Sequence, residues 1–142
     1  MRFDRLTKAL QHAFSDAQSL AISHNHATIE SVHLLLSMLD APEASIKPLL
    51  QQSKGDTDRL YNDLQQRLVD FPHLNAATGD ISISPGLARV MNLAKKFAQQ
   101  KGDQFLSTEA VVSAMLENGS DLQAVFLNAG FNAGQVAEAI TG

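Results

Sequence analysis

The chain states its core pattern twice. At a spacing of 77 residues and without a gap, Leu10 aligns with Leu87, Phe14 with Met91, Ala17 with Ala94, Leu20 with Phe97 and Ala21 with Ala98. The register continues through Ile29/Leu106, Ser31/Thr108, Leu34/Val111, Leu35/Val112, Met38/Met115 and Leu39/Leu116. Self-similarity of this kind marks a duplicated supersecondary unit whose copies bury their apolar faces together. It also supplies a criterion. A position apolar in both copies belongs to the core, and one apolar in a single copy is a candidate for something else.

Within each copy the period is helical. Leu6, Leu10, Ala13, Phe14, Ala17, Leu20 and Ala21 recur every three or four residues and predict an amphipathic helix over about 4–23, ended by His24-Asn25-His26. Residues 29–41 are apolar nearly all round, as a central buried helix should be. A short helix over 45–52 tolerates Pro48 in its first turn. Gly55 interrupts the chain, and Leu60, Leu64 and Leu68 predict a helix over 56–69. Periodicity then lapses until Ser84-Pro85, an N-cap with proline at the first helical position. The helix so started stops at Gly102, Ser107 caps the next with Glu109 in its first turn, and Gly119 is expected to end it. Segments 121–129 and 133–140, separated by Gly130, complete the copy. The expectation is an all-α, eight-helix domain of two pseudo-repeated four-helix motifs, a single unit over 1–142 with repeats at about 1–70 and 85–142 and a connector at 71–84. Ile81-Ser82-Ile83 alone looks extended, and is too short to argue for a sheet.

Composition narrows the functional classes. With 11 Lys and Arg against 15 Asp and Glu, the net charge is -4, and the cations form no stripe that could displace counterions from nucleic acid. The chain has no cysteine, which excludes disulfides and thiolate metal sites. No apolar run approaches the ~20 residues that span a bilayer. A soluble, cytoplasmic protein without nucleic-acid or membrane partners is expected. Phosphate-binding glycine loops and the H-E-x-x-H zinc motif are absent. His24 and His26, with His12 and His33, are the best-placed metal ligands, but their position at a helix end is explained by the helix dipole, and no metal is expected. Nothing fixes a Ser, His and Asp in the mutual geometry that nucleophilic catalysis requires, and no catalytic residue is expected.

The repeat criterion points to the second copy. Leu93 stands opposite Asp16, Phe105 opposite Thr28, Asp103 opposite His26, Glu109 opposite Val32 and Ala110 opposite His33. Leu93 and Phe105 are apolar in one copy only. They predict either asymmetric packing or an exposed apolar patch, rimmed by Asp103 and Glu109, that binds an apolar segment of another chain.

Several stretches carry a family resemblance: residues 1–7 (MRFDRLT), 16–21 (DAQSLA), 29–35 (IESVHLL), 90–94 (VMNLA), 102–109 (GDQFLSTE) and 127–130 (LNAG). The chain resembles, over essentially its whole length, the amino-terminal (Clp N) domain of the ClpB disaggregases of the Clp ATPase family. The resemblance implies a non-catalytic, substrate-engaging module, joined in its parent to two ATPase modules that hold ATP and Mg. It implies a homohexameric parent that works with the DnaK chaperone system on unfolded or aggregated polypeptides, the isolated domain being a monomer. Family residues of substrate engagement carry over onto Thr7, Asp103 and Glu109, and an apolar groove onto Met91, Leu93 and Ala110, the last usually larger. The alternative within the family is docking of a dedicated adaptor, as in the protease-linked Clp ATPases.

Overall fold

The computed structural model describes residues 5–73 and 81–141. Eight α-helices form most of this: α1 (Lys8–Ser23), α2 (Ser31–Asp40), α3 (Ile46–Gln51), α4 (Thr57–Asp70), α5 (Pro85–Lys101), α6 (Thr108–Met115), α7 (Gln123–Asn128) and α8 (Ala133–Thr141), with a 3-10 turn at Pro42–Ala44. The all-α expectation and the two four-helix motifs stand.

The starts of the helices follow from side-chain caps. Thr7, Asp56, Ser84 and Ser107 each accept a backbone N–H three residues on, from Leu10, Arg59, Leu87 and Ala110. Each satisfies one of the donors that a helix leaves unpaired at its first turn. Several boundaries differ from the sequence expectation, among them the start of α1, which lies at Lys8 and not near residue 4 because Thr7 is its cap. α2 begins at Ser31 because Ile29 is engaged elsewhere and Glu30 is the cap. α6 stops at Met115 instead of running to Gly119, because Leu116 closes the helix and 117–120 form a turn with Gly119 at φ 93°.

α2 and α6 are the axis of the core. Every residue of α2 from Ser31 to Leu39 is buried, and Val111, Val112, Ala114 and Met115 of α6 are fully enclosed. α1 lies along α2 and α5 along α6, the same pairing in each copy. Across the copies α3 packs on α6 and α8, and α4 on α7. Gly55 makes the last of these close: a Cβ there would come within 2.6 Å of the Phe131 ring, and the neighbouring Asp56 donates its N–H to the Ala129 carbonyl at 2.8 Å. A side chain at position 55 has no room.

The duplication closes on itself by exchange. The lead-in to α1 pairs with the loop before α6 through Leu106 N–H to Arg5 O (2.7 Å) and Thr7 N–H to Leu106 O (2.9 Å). The lead-in to α5 pairs with the loop before α2 through Ile29 N–H to Ser82 O and Ser84 N–H to Ile29 O, both 2.9 Å. Arg5, Thr7 and Ile29 shift onto Ser82, Ser84 and Leu106 under the repeat, so the two parallel bridges, Leu6 with Leu106 and Ile83 with Ile29, are one contact made twice about a pseudo-two-fold axis. This gives Ile81-Ser82-Ile83 its extended form. It is a tie between copies and no strand of a sheet.

Candidate functional site

The exchanged lead-in, the end of α5 and the α5–α6 loop enclose a cleft of about 570 Å³. Arg5 and Leu6 form one wall, Lys95, Ala98 and Gln99 of α5 another, and the loop from Asp103 to Leu106 the rim. Ala98 and Leu106 are buried apolar surface at its base. Phe105 is 49% exposed, one of three large apolar side chains so placed among the described residues, with Val69 and Leu127. Gly102 turns the chain from α5 into this rim with φ 75°, a left-handed conformation open to glycine at little cost.

The structure divides the residues that the sequence grouped. Asp103 and Phe105 meet in the cleft. Thr7 stands beside it, its backbone N–H bound to Leu106 and its hydroxyl occupied in capping α1. Glu109 is exposed elsewhere, in a recess of about 260 Å³ with Ser45, Pro48, Leu49, Gln52, Ala139 and Ile140. Three expectations need correction. Met91 is 1% exposed and packs in the hydrophobic core, so in this structure its side chain is not open to a ligand. Ala110 is 7% exposed, because the first turn of α6 tucks its methyl group inward. Leu93 is half-buried against the core, which turns its apolar character to packing and removes it from an open patch.

Arg5, Lys95 and Gln99 were not singled out by sequence reasoning. Gln99, opposite Ile22, meets the repeat criterion, whereas Lys95 opposite Gln18 and Arg5 opposite Ser82 are polar in both copies and escape it. The arrangement offers an apolar floor, an exposed ring and charges of both signs. It can hold an extended peptide. It has no nucleophile paired with a base, and among the described residues no group of three or more His, Asp or Glu is set to hold a metal.

The histidines of the first copy form a buried pair instead. His33 Nδ1 accepts the Glu30 backbone N–H at 2.8 Å, so its proton sits on Nε2 and is donated to His26 Nδ1 at 2.8 Å. His26 Nε2 then carries the remaining proton, buried and without a hydrogen-bond partner among the described residues. Burial, then the neighbouring His26 and His24, push His33 down from 6.5 to about 4. His26 is lowered by burial, then by His24 and His73, against the opposing pull of Glu30. Both rings are held neutral. His12 lies apart, exposed, 3.9 Å from Glu43.

Residues 5–129 match the family described as the Clp repeat (R) N-terminal domain. The chain belongs to the Clp N-terminal repeat family. It is 45% identical over 140 residues to a chaperone protein ClpB of Pseudomonas putida, a match that covers 99% of this chain and 16% of that protein. The chain therefore spans about a sixth of the length of such relatives. Its fold superposes on the Hsp104 N-terminal domain of Candida albicans with a TM-score of 0.82, at 21% identity, covering 95% of this chain and 89% of the other. A ClpV N-domain in complex with a VipB peptide superposes with a TM-score of 0.67 at 19% identity, covering 89% of this chain and 80% of that one. No described helix is long and apolar enough to cross a membrane.

Proposed function

We propose that this chain is the substrate-engaging N-terminal module of a ClpB-type, ATP-dependent disaggregase, and that the cleft between Arg5, Lys95 and Phe105 receives apolar segments of unfolded or aggregated polypeptides. One observation carries this reading. Phe105 stands half-exposed at the rim of a cleft with an apolar base, where the first copy has Thr28. An aromatic ring left in water at such a place is surface that a client side chain can cover. Asp103, Lys95 and Arg5 supply polar contacts at the edges, Thr7 holds the wall in place through Leu106, and Glu109 supplies a polar contact in a separate recess. The module is non-catalytic. ATP and Mg²⁺ belong to ATPase modules of a homohexameric parent, which works in the cytoplasm with the DnaK system, while the isolated domain is monomeric.

Binding at this cleft is weak and tolerant of sequence. A few anchors must offset the ordering of an unfolded ligand, which costs about 2–5 kcal/mol of the gross interaction energy. The test is a titration of a permanently unfolded polypeptide into the isotope-labelled chain, followed by amide shifts. Movement at 102–106 and around Lys95, with Kd in the micromolar range or weaker, supports the reading. Indifference to unfolded chains, with tight stoichiometric capture of one folded partner, overturns it in favour of an adaptor dock.

A further inference from the structure

The pseudo-two-fold shows how a loop of this kind is covered when it has a companion. Position 26 in the first copy is position 103 in the second. Each follows a left-handed residue, Asn25 at φ 56° and Gly102 at φ 75°, and each donates its N–H to the carbonyl five residues back, Ala21 and Ala98, at 2.9 Å. The two loops share one backbone plan. In the first copy the chain's own connector lies on that plan. His73 pairs with His26 in an antiparallel bridge, with their rings 5.2 Å apart. Phe71, two residues earlier, stands edge-on to His26 at 5.5 Å and lies against His33 at 5.9 Å. Under this cover His26 is 1% exposed. In the second copy Asp103, Gln104 and Phe105 of the same loop are all exposed, and among the described residues none stands over them as Phe71 stands over His26. Where His33 supports the first loop, the second has the much smaller Ala110.

We infer that the α5–α6 loop receives an extended client segment as the α1–α2 loop receives Phe71–His73, with one client residue paired antiparallel to Asp103 and an aromatic side chain two residues before it lying over Asp103 and Ala110. Paired residues on neighbouring extended chains place their side chains together. The Asp103 carboxylate, standing where the first copy has a neutral imidazole, selects a cation at the paired position. The client motif is aromatic–x–Lys or aromatic–x–Arg in extended form, held by backbone pairing as well as by side chains. This rests on the proposed function, since it fills the rim of the same cleft. It adds the sequence class of the occupant and its direction.

Two labelled peptides test it against the intact 142-residue chain: Ser-Leu-Phe-Pro-Lys-Leu-Ser, and its isomer with Phe and Lys exchanged. Fluorescence anisotropy is expected to show the first binding at least about five-fold more tightly, with amide shifts at Gly102–Leu106 and Ala110. Asp103→Lys should abolish that preference and transfer it to a peptide with Asp in place of Lys, a reversal that mere loss of structure cannot produce. Equal binding of the two isomers, or shifts confined to the His26 and Phe71 face, overturns the inference. If the unfolded polypeptide still binds the cleft while the isomers are equal, only this inference falls. If neither peptides nor unfolded chains bind, the proposed function falls with it.

Discussion

The His26–His33 pair makes stability depend on pH below the ordinary histidine value. The His33 ring is fully buried, its Nδ1 is committed to the Glu30 N–H and its Nε2 proton to His26, so a second proton has no acceptor to go to. With the native value at about 4 and the ordinary one at 6.5, protonation of the folded state costs about 3 kcal/mol relative to the unfolded chain. The sign follows. Above pH 6.5 the ring is neutral in both states and the pair contributes in full. As pH falls from 6.5 towards 4, the unfolded chain takes up a proton that the native state refuses, and stability declines by about 1.4 kcal/mol per pH unit. The control is His33→Ala, the residue that the second copy carries at Ala110. Urea unfolding at pH 7.5, 6, 5 and 4.5 should find the variant less stable at pH 7.5 and the gap to the parent narrower by about 2 kcal/mol at pH 5. Parallel curves for the two proteins would refute the buried neutral pair.

Other perturbations have simpler readouts. Gly55→Ala forces a methyl group to within 2.6 Å of the enclosed Phe131 ring and should lower stability by about 1–3 kcal/mol in thermal unfolding; an unchanged Tm contradicts the close approach of the copies there. Leu35→Ala empties a fully buried site on α2 and should cost about 2–5 kcal/mol, whereas half-buried Leu93→Ala should cost distinctly less; equal losses in urea would place Leu93 in the core proper.

Much of this architecture was legible because it was written twice. Ser84, Ser107 and the αL glycine at 102 carry local cap chemistry that needs no knowledge of the rest of the fold. The helix before Gly119 ended early because its C-terminal turn, closed by Leu116, outweighed a glycine that only looked like a stop. The exchanged bridges were not legible. Ile83 finds its partner Ile29 more than fifty residues away, and nothing in either segment names the other. The site was half legible for the same reason. Comparing copies exposed Phe105 and Asp103, but exposure itself is decided by tertiary packing, which hid Met91, Ala110 and much of Leu93. Arg5 reaches the cleft only through the exchange of lead-ins, so its meeting with Lys95 could not be read from spacing along one helix. Helix-end polarity does not account for His26 and His33, which are set by the Glu30 N–H and the connector, again a contact between distant segments.

The claim that the second copy's cleft engages clients is tested most directly by comparing two equally exposed apolar residues. Phe105 is 49% exposed within the cleft rim, and Leu127 is 54% exposed on α7, outside the cleft. Covering the remaining half of a phenylalanine side chain, about 100 Å², is worth up to about 2.5 kcal/mol. The affinity of one unfolded polypeptide for Phe105→Ser and for Leu127→Ser is expected to fall roughly ten- to fifty-fold in the first and less than two-fold in the second. Equal affinities for both variants, or a larger loss at Leu127, would contradict the account.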